Sequence, residues 1–173
     1  MSGKILIAYA SRTGSTQDYA EEIGKTLIVA GFQVDVLPVD AEIDLTQYVA
    51  VLVGSAIRKS KWLPEAIDFL KNHRAELNRK PFAMFTVCIT RAMSGDDEYQ
   101  RVVKEWVEPM RALVNPLAEG IFPGRLDFSK LPFNLDTIQL RLAVALGIFP
   151  RQDRSDFAAA RAWAEELVPR LKM

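Results

Sequence analysis

Apolar runs of strand length alternate with longer helical patterns along this 173-residue chain, and the alternation predicts an α/β fold: a doubly wound parallel sheet with helices on both faces. A second observation sharpens the expectation. The first apolar run ends in a hydroxyl-rich turn, Ser11-Arg12-Thr13-Gly14-Ser15-Thr16, and sheets of this kind seat phosphates where the first strand hands over to the first helix. The third is composition: 49% hydrophobic and 25% charged residues, with no low-complexity tract, fit a single well-buried domain over residues 1–173.

Strands are expected at Lys4–Ala10, 33–39, 50–54, Phe82–Cys88 and 118–122, each a short run rich in aliphatic, β-branched or aromatic residues. Helices are expected at 16–30, 64–74, 97–114 and Phe157–Leu171. Gly31 supplies a C-terminal stop, and Pro64 suits a first helical turn because its missing N–H would have no partner there. Pro109 is expected to kink the third helix or end it early, since a proline inside a helix removes one hydrogen bond and crowds the preceding turn. The lone His73 falls on the polar side of its helix and reads as a surface residue.

Charge names no partner: 22 basic residues cancel 22 acidic ones. Nucleic acid asks for a basic stripe and none is visible. A single cysteine, Cys88, allows no internal disulfide and no metal-ligand spacing, so no metal is expected. The chain enters its first strand without a charged-then-apolar leader, and no run of about 18 apolar residues suggests a span. A cytoplasmic protein is expected, at most peripheral to the inner face of a membrane.

A strand-to-helix turn presents backbone N–H groups without intrahelical partners, backed by the positive end of the helix dipole. Hydroxyls complete a phosphate cradle. The turn lacks the Gly-Lys pair of a P-loop and has only Gly14 where a dinucleotide fingerprint wants three spaced glycines. The plain alternative is a helix start capped by its own serines and threonines. The spacing Ser11-x-Thr13-Gly14-x-Thr16 resembles the phosphate loop of flavodoxins. The resemblance implies FMN as cofactor, with its phosphate on Ser11, Arg12, Thr13, Gly14, Ser15 and Thr16, and a sheet of five parallel strands in the order 2-1-3-4-5.

Ligands of such sheets lie outside the carboxyl ends of the strands, so the loops after strands three and four should converge on the same site. The first begins with small residues, Gly54-Ser55-Ala56, which let a planar ring approach the backbone. Ser55, Ala56, Ile57 and Arg58 are expected along one ring face, with Trp62 as the stacking aromatic or, alternatively, as a tryptophan packed beneath the loop. Arg58, Lys59 and Lys61 add a positive cluster suited to an anionic reduced flavin or a carboxylate-bearing substrate, or simply to solvent. After strand four, Cys88, Ile89, Thr90 and Arg91 are expected at the ring, Cys88 more as a small apolar filler than as a reactive group. No aromatic stands between Cys88 and Glu98, where many flavodoxins supply a tyrosine. That leaves one ring face open to a substrate or quinone.

A narrower resemblance rests on Gly54-Ser55-Ala56-Ile57-Arg58, on Phe69-Leu70-Lys71-Asn72-His73, on Leu77-Asn78 ahead of Pro81-Phe82-Ala83, and on Gly124-Arg125-Leu126-Asp127-Phe128 with the apolar helix after it. In these the chain is similar to the menaquinone-dependent protoporphyrinogen oxidases of the haem pathway. The similarity implies an FMN enzyme that takes hydrogen from protoporphyrinogen IX, a porphyrinogen, and passes electrons to a quinone. The family's mark is an inserted segment, here about residues 127–154, carrying an extra helix at 133–147 after the last strand. Leu135, Ile138, Leu142, Ala145, Leu146 and Phe149 form one apolar stripe, which asks for the domain's own core, a second subunit as in a homo-oligomer, or a membrane surface where quinone is found. The stretch is less basic than the family pattern, and residues 149–157 are shorter and poorer in threonine.

No catalytic acid or base is identified, because no carboxylate or histidine clearly faces the ring and the flavin itself carries redox chemistry. Two other classes stay open: an electron-transfer flavodoxin without a substrate of its own, which would favour an acidic docking face, and an NAD(P)H-dependent quinone or flavin reductase.

Overall fold

The computed structural model describes residues 3–88, 96–125 and 155–172, together with positions 138, 139, 141, 142 and 145–147. Its elements are β1 (Lys4–Ala10), α1 (Ser15–Val29), β2 (Gln33–Pro38), a 3-10 turn (Leu45–Gln47), β3 (Ala50–Arg58), β4 (Lys61–Trp62), α2 (Pro64–Asn72), α3 (Arg74–Leu77), β5 (Phe82–Cys88), α4 (Asp96–Leu113), β6 (Ala118–Pro123) and α5 (Phe157–Leu171). Five strands pair in parallel in the order β2-β1-β3-β5-β6. The expected doubly wound sheet is therefore present, and the fifth strand of the expectation is β6 because a short extra strand, β4, precedes β5.

Strand residues alternate between two covered faces. Leu6, Ala8, Val51, Val53, Phe82 and Met84 pack beneath α2 and α4 with Leu70, Val103 and Val107. Ile5, Ile7, Leu52, Phe85 and Val87 pack beneath α1 and α5 with Tyr19, Ile23, Ala164 and Leu167. All of these lie within 3% of full burial, which is why β1, β3 and β5 read as near-continuous apolar runs. Two elements differ from expectation. The helix expected at 64–74 breaks at His73, whose ring tilts against Phe69 at 4.6 Å and is half-buried rather than a surface group. Helix α4 runs through Pro109 to Leu113 without ending early. Val103, Val107 and Met110 lock its inner face, and packing of that kind outweighs one missing backbone bond.

The turn that carries the site is held from behind by Tyr19 of α1. Its hydroxyl donates to the Pro123 carbonyl and accepts from the Asp156 N–H, both at 2.7 Å, and its ring stacks on Phe122 at 5.0 Å. One side chain thus ties the start of α1 to the exit of β6 and the start of α5. Most of the 133–147 helix lies outside the described residues. At the described positions the backbone is helical at 138, 139, 141, 142 and 145, and Ile138, Leu142 and Leu146 are exposed.

Candidate functional site

The β1-to-α1 turn is a helix start without a side-chain cap. Gly14 takes the left-handed backbone with φ 86° and, having no side chain, gives α1 no side-chain cap; among the described residues no other side chain bonds the first N–H groups of α1. The hydroxyls that a capped start would use are engaged elsewhere or idle. Ser11 Oγ accepts from the Gly14 N–H at 3.0 Å, and Ser15 Oγ accepts from the Arg125 N–H at 3.3 Å. Thr16 is fully buried and its Oγ1 has no hydrogen-bond partner.

Uncapped N–H groups beside a buried, unpaired hydroxyl are costly unless an acceptor supplies the missing bonds. A phosphate has the charge and the number of acceptor oxygens to do so, and it sits at the favourable end of the α1 dipole. Asp18, in the first turn of α1, would oppose that anion, but Arg125 lies 2.6 Å from its carboxylate. Arg125 was not expected here from the sequence, because the fold alone brings the exit of β6 to this turn.

Arg12 points away from the cradle. Its guanidinium forks onto the Glu65 carboxylate in the first turn of α2, with Nη2 to Oε2 at 2.9 Å and Nη1 to Oε1 closer still. The fork holds the Glu65 carboxyl below the usual carboxylate range. The Arg12 side chain thereby ties the turn to α2.

The loop expected after strand three is a hairpin. Strand β3 extends to Arg58, and β4 folds back on it with Ile57 opposite Trp62 and Arg58 opposite Lys61. Lys59 and Ser60 make the turn with φ of 51° and 59°, the backbone a two-residue type I′ turn requires. Glycine or asparagine usually marks such a turn, so a Lys-Ser pair hides it in the sequence.

Within the hairpin the expected residues divide. Ala56, Ile57 and Arg58 are partly or fully exposed along its outer stretch. Ser55 is fully buried, and its hydroxyl accepts from the Leu63 N–H at 3.0 Å and donates to the Ala56 carbonyl at 2.9 Å, which closes the hairpin base. Trp62 is 1% exposed and its indole donates to Thr86 at 2.9 Å in the core under α2 and α4, so it is not placed as the stacking aromatic. Gly54 has a packing reason as well: a Cβ there would lie 2.0 Å from the Phe85 ring. Its smallness serves the core rather than an approaching cofactor.

Cys88 ends β5 with its side chain 3% exposed in the same core, and its carbonyl accepts from the Gly124 N–H at 2.9 Å. It packs in the core cluster beneath α2 and α4. Ile89, Thr90 and Arg91 lie outside the described residues. Among the described residues no group of three or more His, Cys, Asp or Glu gathers as a metal site, and no helix is long and apolar enough to cross a membrane.

A parallel sheet in this order, covered by helices on both faces, defines the class: doubly wound α/β proteins, a class whose ligands lie outside the carboxyl ends of the strands. The chain belongs to the flavodoxin-domain family, whose family model matches residues 6–144. Among curated proteins it is similar to the protoporphyrinogen IX dehydrogenase [quinone] of Escherichia coli strain K12, 31% identical over 86 residues, 49% of this chain and 48% of that protein. The match therefore spans about half the length of the relative. Among solved structures it is similar to an archaeal flavodoxin, 17% identical with TM-score 0.58 over 98% of this chain and 99% of the other. It is also similar to the flavodoxin of Streptococcus pneumoniae TIGR4, 18% identical with TM-score 0.59 over 97% and 99%. At such identities the two structures speak for the fold.

Proposed function

We propose that this protein is an FMN-dependent oxidoreductase. The observation that carries the cofactor is the uncapped start of α1 beside the buried, unpaired Thr16 hydroxyl, at the position where flavodoxin-like proteins hold the FMN phosphate. The backbone and hydroxyls of residues 11–16 bind that phosphate. Ala56, Ile57 and Arg58 flank one side of the ring, Ser55 sets the hairpin base beneath it, and Ile89, Thr90 and Arg91 belong to the other side. A bound isoalloxazine supplies the two-electron chemistry. The chain's own residues orient it, and Arg58 stabilises negative charge near its edge.

For the substrate we take protoporphyrinogen IX, with electrons delivered to a quinone. The support is the similarity to the Escherichia coli dehydrogenase together with the absence of an aromatic between Cys88 and Glu98, which leaves a ring face free for a flat partner. Exposure of Ile138, Leu142 and Leu146 favours a covering partner for the 133–147 helix, either a second subunit or the inner membrane surface, over burial in its own core. A cytoplasmic protein with peripheral contact at the membrane fits this reading.

The test is anaerobic mixing of FMN-loaded protein with protoporphyrinogen IX, then with menadione. Bleaching of the flavin by the porphyrinogen and recovery with the quinone are expected. Rapid bleaching by NADPH alone would instead indicate a nicotinamide-dependent reductase, and no response to either donor would leave an electron-transfer flavodoxin.

A further inference from the structure

The exit of β6 is pinned residue by residue, and two of its three bonds reach α1. Pro123 offers its carbonyl to the Tyr19 hydroxyl at 2.7 Å, Gly124 donates its N–H to the Cys88 carbonyl at 2.9 Å, and Arg125 donates its N–H to Ser15 Oγ at 3.3 Å. Three consecutive residues are thus held, and the Arg125 side chain is delivered to the first turn of α1. There its Nη2 lies 2.6 Å from Asp18 Oδ2. That oxygen forms no hydrogen bond among the described residues, so the contact is one of charge rather than of a directed bond.

Ser15 and Thr16 leave a demand at the same place. Ser15 is 6% exposed, and among the described residues its Oγ forms only the bond it accepts from Arg125, so its proton has no acceptor there. Thr16 is fully buried and its Oγ1 has no partner. Two buried hydroxyls beside the uncapped N–H groups of α1 call for one strong acceptor. Asp18 stands on the same turn as the anion that would answer them, an unfavourable placement by simple repulsion, and the Arg125 cation is the group set against it.

We propose that Arg125 is a positioning residue for the cofactor phosphate, acting through Ser15 and Asp18. Its N–H occupies an acceptor site of Ser15 Oγ and leaves the hydroxyl proton available to the phosphate, while its guanidinium offsets the Asp18 charge that would repel a dianion. The residue thereby selects FMN over riboflavin, the same flavin without its phosphate. This role rests on the FMN reading above.

The experiment measures FMN and riboflavin affinity, by quenching of flavin fluorescence, for wild type, Arg125→Gln, Asp18→Asn and the double variant. Arg125→Gln is expected to weaken FMN binding about tenfold and to leave riboflavin binding within about twofold. Asp18→Asn breaks the same ion contact, yet it is expected to hold FMN as tightly as wild type or more so, because it removes a repelling charge. The double variant should recover most of the FMN affinity lost in Arg125→Gln, and that loss should shrink at high salt. An equal loss of FMN and riboflavin in Arg125→Gln, or a weakening by Asp18→Asn that matches it, makes the pair a structural clamp and overturns the proposal. Wild-type protein that does not bind FMN strikes the cofactor reading itself, and the proposal falls with it. Wild-type binding that is indifferent to Arg125→Gln strikes the role of Arg125 alone.

Discussion

The indole Nε1 of Trp62 donates to Thr86 Oγ1 at 2.9 Å, linking β4 to the centre of β5 inside the core. Both side chains are within 2% of full burial, so the bond satisfies two groups that have no route to water. Thr86→Val leaves the indole N–H unpaired and is expected to cost about 1–3 kcal/mol in urea unfolding, whereas Thr86→Ser costs less. Trp62→Phe, read in FMN-loaded protein, should leave the visible flavin spectrum in place, because the indole does not stack on the ring. A large spectral shift in that variant would restore Trp62 to the ring face.

Thr16 carries a prediction with opposite signs in the two states. In the free protein its buried Oγ1 has no partner, so Thr16→Val removes a desolvated hydroxyl and should leave stability unchanged or raised. In the FMN complex the same hydroxyl would face a charged acceptor, and its loss should weaken binding by about 1.5–3 kcal/mol, on the order of 10- to 150-fold. Flavin fluorescence titration and urea unfolding of the FMN-free protein read the two arms. An unchanged FMN affinity would mean that the turn is only a helix start.

Gly54 and Phe85 are neighbours across β3 and β5, and the ring lies where a side chain on Gly54 would go. Gly54→Ala forces a Cβ to 2.0 Å from the ring edge and is expected to destabilise by about 1–3 kcal/mol or more, since a packed core absorbs extra volume poorly. Phe85→Leu in the same chain should recover part of that loss, which a double-mutant cycle would show as non-additivity. Full additivity would mean that Gly54 is small for some other reason.

The layout of the sheet was legible because its signals are local: near-continuous apolar runs for β1, β3 and β5, Gly31 after α1, Pro64 at the start of α2. The hydroxyl turn was legible for the same reason, as six consecutive residues. What could not be read is what depends on contacts between distant residues. Trp62 and Gly54 look like cofactor-facing residues in a loop, and only the pairing with Thr86 and the position of Phe85 turn them inward. The hairpin was hidden because its turn uses Lys59 and Ser60 in place of the residues that usually mark positive φ. Glu65 and Arg125 carry no pattern of their own, and they enter the site because the β-strand order brings α2 and the β6 exit beside residues 11–16.

The Arg12–Glu65 fork gives the turn a pH dependence whose sign follows from the shift. Glu65 is held below its ordinary value near 4.5 by the guanidinium hydrogen bonds, so the unfolded chain takes up a proton before the folded one does. The pair therefore contributes stability that is fully present above the unfolded value and is lost as pH falls through the folded one. Both partners are partly exposed, 43% for Arg12 and 30% for Glu65, so solvent screening limits the contribution to about 0.2–1 kcal/mol. Urea unfolding of wild type and Glu65→Gln should show that difference at pH 7 and a progressively smaller one as the pH is taken below 4.5. It should also shrink at high salt. A difference that grows on acidification would mean that Glu65 stabilises the fold by something other than its charge on Arg12, and the tie between the phosphate turn and α2 would have to be sought elsewhere.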